Sequence, residues 1–461
     1  MQPELIRKYL YQKYIEPTKK KRQGYIGVEI EMPIVNLKKE AVNFDIVHTI
    51  TDRFIENFNF DVTGRDDEGN IYSATNNKNG DILSYDCSYN NLELSFGKED
   101  RLSAIQIRFN EYYTFLQKEF NKYDYTLTGM GVNPYRKYNH NVSIPNGRYR
   151  MLFHHLHSYK NYDLPMYFHK YPEYGTFSSA SQVQLDVNYE DLPIAINAFS
   201  KLEPIKAILF SNSVLLDENE ELICCRDMFW ENSTHGINPH NIGMFDCEFN
   251  SVEELLAYIE STSIYCVEKG DKYINFKPTN IMEYFQSEEI EGEYYDNGEY
   301  KKIVITPEIG DLDYLRTFKF EDLTFRGTIE FRSVCCQPVK DSMSVAAFHI
   351  GLMDKIKELN EIFNQDYVLY HRGYTATELR KMFVKSKLNG FVDEDPLYAL
   401  VKKILDLSYE GLIKRGFGEE KFLKPLYERM ENRTNPAKDM LRRKGSGEEL
   451  EKIILEYGKI D

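Results

Sequence analysis

The stretch Gly27-Val28-Glu29-Ile30-Glu31-Met32-Pro33 alternates strictly, which predicts a strand with Val28, Ile30 and Met32 on one face and Glu29 and Glu31 on the other. Two carboxylates then point the same way, two residues apart. Alone, the motif also fits a solvent-exposed edge strand. Working outward, the pattern recurs three times. Asn91 to Phe96 sets Leu92, Leu94 and Phe96 opposite Asn91, Glu93 and Ser95. Ser181 to Val187 opposes an apolar face to Gln182, Gln184 and Asp186, and Thr328 to Arg332 opposes Ile329 and Phe331 to Glu330 and Arg332. Lysine is missing from all four polar faces, although exposed strands usually carry it for solubility. The four faces are therefore read as lining one shared polar cavity. Its carboxylates would repel one another unless cations neutralised them, and hard oxygen ligands suit Mg²⁺ or Mn²⁺, which can in turn bind the phosphates of ATP.

Between these strands the spacing predicts helices. Leu102, Ile105, Phe109, Tyr112, Leu116 and Phe120 recur at three- and four-residue steps, one face of an amphipathic helix. Leu192 to Phe210 reads as two helical pieces joined at Pro204, because proline suits a helix start better than its middle. Ser251 with Glu254 forms a capping box. The acidic segment Gln286 to Tyr300, with Gly292 and Gly298, reads as a loop and a candidate lid, followed by a strand at Lys301 to Ile305. From about Ser342 to Asn432 the chain is mostly helical, and Thr434 to Gly447 reads as a linker to a short last helix. The expected organisation is one catalytic domain over 1–432, then linker and helix over 433–461. Strands interleaved with helices and closed by a helical end favour an α+β fold over a doubly wound sheet.

Composition narrows the function classes. Fifty-seven Lys and Arg against 73 Asp and Glu leave a net charge of −16, which argues against broad contact with nucleic acid or anionic membrane. No stretch approaches ~18 consecutive apolar residues, and residues 1–22 lack the apolar core of a signal peptide. Seven cysteines, two pairs of them adjacent, suit a reducing compartment better than a disulfide framework, so the chain is expected to be cytoplasmic. The phosphate-loop signature and G-x-G-x-x-G are both absent, so nucleotide chemistry would fall to carboxylates and metal. In Phe153-His154-His155-Leu156-His157 the three histidines point in different directions on a helix or a strand, which fits packing better than a metal cluster.

Taken in order, these motifs and others resemble the glutamate-cysteine ligases, most closely their plant and proteobacterial branch, within the glutamine-synthetase-like carboxylate-amine ligases. The residues that carry the resemblance are Gly27 to Glu31, Asn91 to Ser95, Pro145 to Tyr149, Ser181 to Asp186, Pro204 to Ser213, Arg226 with Trp230, and Ile329 to Arg332. The resemblance implies a funnel of mostly antiparallel strands flanked by helices, with ATP and divalent metal at one end and amino acids at the other. Glu29, Glu31, Glu93, Gln182 and Glu330 would be metal ligands, with Glu330 and Arg332 catalytic and Arg332 meeting the transferring phosphoryl group. Arg226, Trp230, Arg148 and Gln184 would form the substrate end, Arg226 holding the glutamate carboxylate. The implied reaction phosphorylates the γ-carboxylate of glutamate and couples it to cysteine or another amine. The implied partners are small molecules only, and the expected state is a monomer or homodimer.

The chain departs from the family pattern at its substrate end. Ser333-Val334-Cys335 replaces Gly-x-Asp, Asn232 to Gly236 replaces Asp-x-x-Arg-Thr-Gly, and Tyr314-Leu315-Arg316-Thr317 replaces His-Leu-Thr-Thr. These departures leave the reaction type in place and open the identity of the amine, whose choice is expected to lie near Cys335 and the His235 segment. Cys335 and Cys336 read as buried inert thiols or as a redox or substrate contact. A non-catalytic relative is opposed by the intact Glu29, Glu31, Glu93, Glu330 and Arg332, and a guanidino-type phosphotransferase is remote. The residues after 350 are too few and too helical for an appended second ligase domain.

Overall fold

The computed structural model describes residues 1–461 except 389 and 391. Its strands are Ile26–Asn36 (β1), Asp61–Arg65 (β2), Ile71–Thr75 (β3), Ile82–Tyr85 (β4), Asn91–Glu99 (β5), Tyr125–Leu127 (β6), Ser181–Asp186 (β7), Ile242–Gly243 (β8), Ser263–Lys269 (β9), Lys272–Asn280 (β10), Ile290–Asp296 (β11), Glu299–Ile305 (β12), Phe318–Lys319 (β13), Glu321–Leu323 (β14) and Thr328–Phe331 (β15). The main sheet runs β14-β15-β7-β1-β5-β4-β3-β2, with β6 also paired to β1, and every pairing in it is antiparallel. The four alternating motifs are therefore neighbours: β15, β7, β1 and β5 lie side by side. The α+β class and the antiparallel sheet expected from the sequence are both present.

Their apolar faces decide the register. Val28, Ile30, Leu94, Val183, Ile329 and Phe331 are buried, and slipping one strand by a residue would turn that whole set to the opposite face. Helices Leu102–Asn121, Leu192–Phe210 and Ser342–Met353 contribute to the same core. The Phe331 ring sits 4.4 Å from that of Phe199 and 4.4 Å from that of His349. A second sheet, β12-β11-β10-β9, stands apart from the first, and β8 pairs in parallel with β13.

Three expectations are corrected. Leu192–Phe210 is one continuous helix with Pro204 inside it. Nearly every side chain along it is buried, so packing on all sides outweighs the backbone hydrogen bond that proline removes. Gln286 to Tyr300 is not a loop: it holds the end of helix Ile281–Gln286, strand β11 and the start of β12. Asn297 and Gly298, at φ 49° and 94°, make the tight turn, a pair suited to a two-residue hairpin whose central residues both need positive φ. The acidic composition had masked that signal. Finally, the expected linker contains helix Pro436–Gly445, started by Asn435, whose side chain caps the Lys438 N–H, and by Pro436 in the first turn. Ala437 and Met440 bury with Ile453, Ile454 and Tyr457 against Val35 and Met130. The last helix, Leu450–Tyr457, is where the sequence predicts one.

The hairpin makes a direct prediction. Amides of β11 and β12 that pair with each other should exchange slowly in the free protein, before any nucleotide is added. Hydrogen exchange as fast as in an unstructured segment, slowed only by ligand, would restore the lid.

Candidate active site

Register brings the polar faces into one patch. Glu29 stands opposite Gln182 on β7 and Ser95 on β5, Glu31 opposite Glu93, and Glu330 opposite Gln184. Gln184 Nε2 donates to Glu29 Oε1 at 3.0 Å and to Glu330 Oε1 at 2.7 Å, while Arg326 donates to Gln184 Oε1 at 2.7 Å. Gln182 Nε2 donates to Glu31 Oε1 at 3.0 Å, and the Ala180 N–H donates to Glu31 Oε2 at 2.7 Å. Arg332 forms an ion pair with Glu330, and the Ser95 hydroxyl donates to Glu93. Thus Glu29, Glu31, Glu93, Gln182, Glu330 and Arg332 do share one face. Gln184, which the resemblance sets at the substrate end, lies among the carboxylates, because its strand position pairs it with Glu330.

One acidic residue escaped the sequence. Glu31, Asp86 and Glu93 each offer a carboxylate oxygen within 4.8 Å of the others. Asp86 follows β4 directly, in the connection that turns back into β5, and Cys87 beside it has φ 64°. It belongs to no alternating run, so periodicity has nothing to say about it; only pairing of β4 with β5 carries it to Glu93.

Burial in a low-dielectric pocket pushes every member of this group toward its neutral form. The Glu93 carboxyl rises to about 8, by desolvation first and then by Asp86 and Glu31, and Glu31 rises to about 7 by desolvation and Asp86. Glu29 is held well above the usual carboxylate range by desolvation, Glu330 and Glu93. Asp86 is raised by burial, opposed by Arg148 and Arg332. Like charges this close, with the carbonyl Oε1 of Gln182 buried and unpartnered beside them, suit a divalent cation held by oxygen.

Beside the carboxylates opens a cavity of about 340 Å³, lined on one side by Glu31, Asp86, Gln182 and Arg332. Arg148 and Trp230 line it too. Trp230 stacks on Phe318 at 4.8 Å. His235 also lines it and is held neutral, its pKa pushed down to about 3 by burial. Arg226 does not line the cavity. Its Nη1 donates to the carbonyls of Ser333 and Val334 at 3.3 and 3.2 Å, pinning the segment that follows Arg332, and its charge favours the ionised form of Glu31. Cys335 is likewise outside the cavity lining, buried 3.6 Å from the Cys224 sulfur. The three histidines diverge: His154 meets Glu293 at 2.9 Å, His155 stacks on Tyr265 at 4.1 Å, and His157 bonds its own helix at the Phe153 carbonyl.

Comparison with known proteins adds an independent view. The chain is 24% identical over 308 residues to a chloroplastic glutamate-cysteine ligase of Solanum lycopersicum, a match covering 65% of this chain and 53% of that one. It is 23% identical over 327 residues to glutamate-cysteine ligase A of Oryza sativa subsp. indica, covering 68% and 60%. The chain is a distant relative of glutamate-cysteine ligases. It spans little more than half the length of these relatives. Its fold is similar to that of the glutamate-cysteine ligase of Francisella tularensis, solved in complex with AMP, with a TM-score of 0.50 at 11% identity over 94% of this chain and 87% of that one. No family model matches the chain. Among the described residues, no helix is long and apolar enough to cross a membrane.

The raised carboxyls carry a test of the cation site. They bind protons more tightly folded than unfolded, so metal-free stability should fall as pH rises from the ordinary value of 4.5 through about 7 and about 8. A cation displaces those protons, so the gain in melting temperature from saturating Mg²⁺ should be larger at about pH 8.5 than at about pH 6. Equal gains, or none, in a thermal melt would remove the cation from this face.

Proposed function

We propose that the chain is an ATP-dependent carboxylate-amine ligase that phosphorylates the γ-carboxylate of glutamate and joins it to an amine, cysteine being the amine its relatives use. The observation that carries this reading is the gathering of Glu29 and Glu31 on β1, Glu93 on β5 and Glu330 on β15 around the two glutamines of β7, with Arg332 paired to Glu330, at the edge of a cavity containing Arg148. Carboxylates gathered on one sheet face, those of Glu29, Glu31 and Glu93 raised by burial first and by neighbouring carboxylates second, suit the pairing of divalent cations with a triphosphate. They do not suit a site for an uncharged ligand.

In the first step an oxygen of the glutamate γ-carboxylate attacks the terminal phosphorus of ATP, the bond to ADP breaks, and an acyl phosphate forms. Two anions must meet, and charge moves onto the bridging oxygen of ADP as they do. Glu29, Glu31, Asp86, Glu93 and Glu330, with Gln182, would hold Mg²⁺ or Mn²⁺, which supplies charge neutralisation at the phosphates. Arg332, a planar and permanently charged fork, faces the phosphoryl group from the same strand end as Glu330. Arg148 takes the α-carboxylate of glutamate, and Trp230 closes the wall beside it. Arg226 acts through position, fixing residues 333 and 334 and so the end of the strand that carries Arg332. In the second step the neutral amine attacks the acyl carbon, the bond from carbon to the phosphate oxygen breaks, phosphate leaves, and the amine gives up its proton to form the amide.

The test is ADP release on adding glutamate and Mg²⁺, with amines supplied one at a time. Glu330→Gln should abolish it in a folded protein. Arg332→Lys should lower kcat by about 10²- to 10³-fold with little change in the KM for glutamate, because a point charge replaces a fork whose worth is greatest in the transition state. Full activity in Glu330→Gln, or an Arg332→Lys defect confined to KM, would sink these assignments.

A further inference from the structure

The cavity has more positive charge at its substrate end than one glutamate requires. Arg148 and Arg316 both line it, and among the described residues neither forms an ion pair with a carboxylate. Both residues are exposed. They act on one region: the buried Tyr265 hydroxyl and Cys266 thiol in the cavity wall are raised by desolvation, and both arginines oppose that rise.

Arg316 is shaped to receive an anion. Its Nη1 donates to the carbonyls of Asp313 and Leu315 at 2.8 and 3.0 Å, which anchors one corner of the guanidinium. Its Nε and Nη2, the edge that grips a carboxylate with two parallel hydrogen bonds, have no partner among the described residues. The flanking wall is uncharged: Tyr265, Phe318 and the neutral His235. Glu268 is the acidic residue nearby in the lining, and the Tyr314 hydroxyl donates to it at 2.6 Å.

We infer that Arg316 selects the amine substrate by taking its carboxylate, so that the acceptor is an amino acid and not a simple amine. The inference rests on the ligase reading. Arg148 serves the carboxylate of glutamate and Arg316 that of the acceptor. The acceptor side chain lies along Tyr265, His235 and Phe318.

The experiment measures ADP release by the full chain with ATP, Mg²⁺ and glutamate, offering each of a panel of amino acids beside the amine obtained from it by decarboxylation, for instance cysteine beside cysteamine. The wild type should prefer the acid over its amine by about 10- to 100-fold in kcat/KM, the worth of a charge-assisted hydrogen-bond pair. Arg316→Gln should bring that ratio to near one by raising the KM for the acid, and Arg316→Lys should restore part of it. Equal use of acid and amine by the wild type, or an unchanged preference in Arg316→Gln, would overturn the inference while leaving the ligase reading intact. No ADP with any acceptor would overturn both.

Discussion

Everything at this site depends on holding like charges together. Glu29, Glu31, Glu93 and Glu330 are brought side by side by strand pairing, and Asp86 joins them from the turn before β5. Left bare in a low-dielectric pocket such a group favours protons, which is why Glu29, Glu31, Glu93 and Asp86 are raised. The amides of Gln182 and Gln184 partly answer the repulsion by donating to Glu31, Glu29 and Glu330. Dipoles alone leave the charge in place, and the remaining demand for positive charge is what makes the face suited to a cation and to the phosphates a cation carries.

Behind the apolar side of the sheet, a buried ionic network fixes the elements that frame the cavity. Arg380, from helix Ala376–Phe383, grips Asp227 with two hydrogen bonds at 2.6 and 3.0 Å and also meets Glu203. Glu203 in turn pairs with Lys206 and accepts from Ser333 at 3.0 Å. One guanidinium thereby joins the short helix bearing Arg226 and Trp230 to the long helix under β15. Stripping a buried charge of its partner costs about 3–5 kcal/mol, so this joint resists change more than any surface ion pair could. Arg226 completes the frame from the other side through the carbonyls of Ser333 and Val334.

The sheet was legible because its signal has period two and its polar faces are chemically unusual. Alternation placed Glu29, Glu31, Glu93 and Glu330 on shared faces, and absence of lysine separated them from ordinary exposed strands. Residues outside alternating runs were harder. Asp86 sits in a connection, and Arg316 in a short irregular stretch after the 3₁₀ turn Ile309–Tyr314; their roles follow from tertiary proximity alone. The contacts of Gln184 with Glu29 and Glu330 are not legible in the sequence, because side-chain direction along β7 does not say which neighbour it meets. Pro204 and Asn297-Gly298 failed in opposite ways: a local breaker was overridden by burial, and a strong local turn signal was hidden by acidic composition.

The central claim is that this face transfers a phosphoryl group to a carboxylate oxygen. Glutamate labelled with ¹⁸O in its γ-carboxylate tests it most directly, with the released phosphate analysed by mass spectrometry after turnover with ATP, Mg²⁺ and an accepted amine. Attack by the carboxylate on phosphorus, followed by displacement at carbon, must leave one labelled oxygen in each phosphate. Phosphate released without label during amide formation would contradict the account.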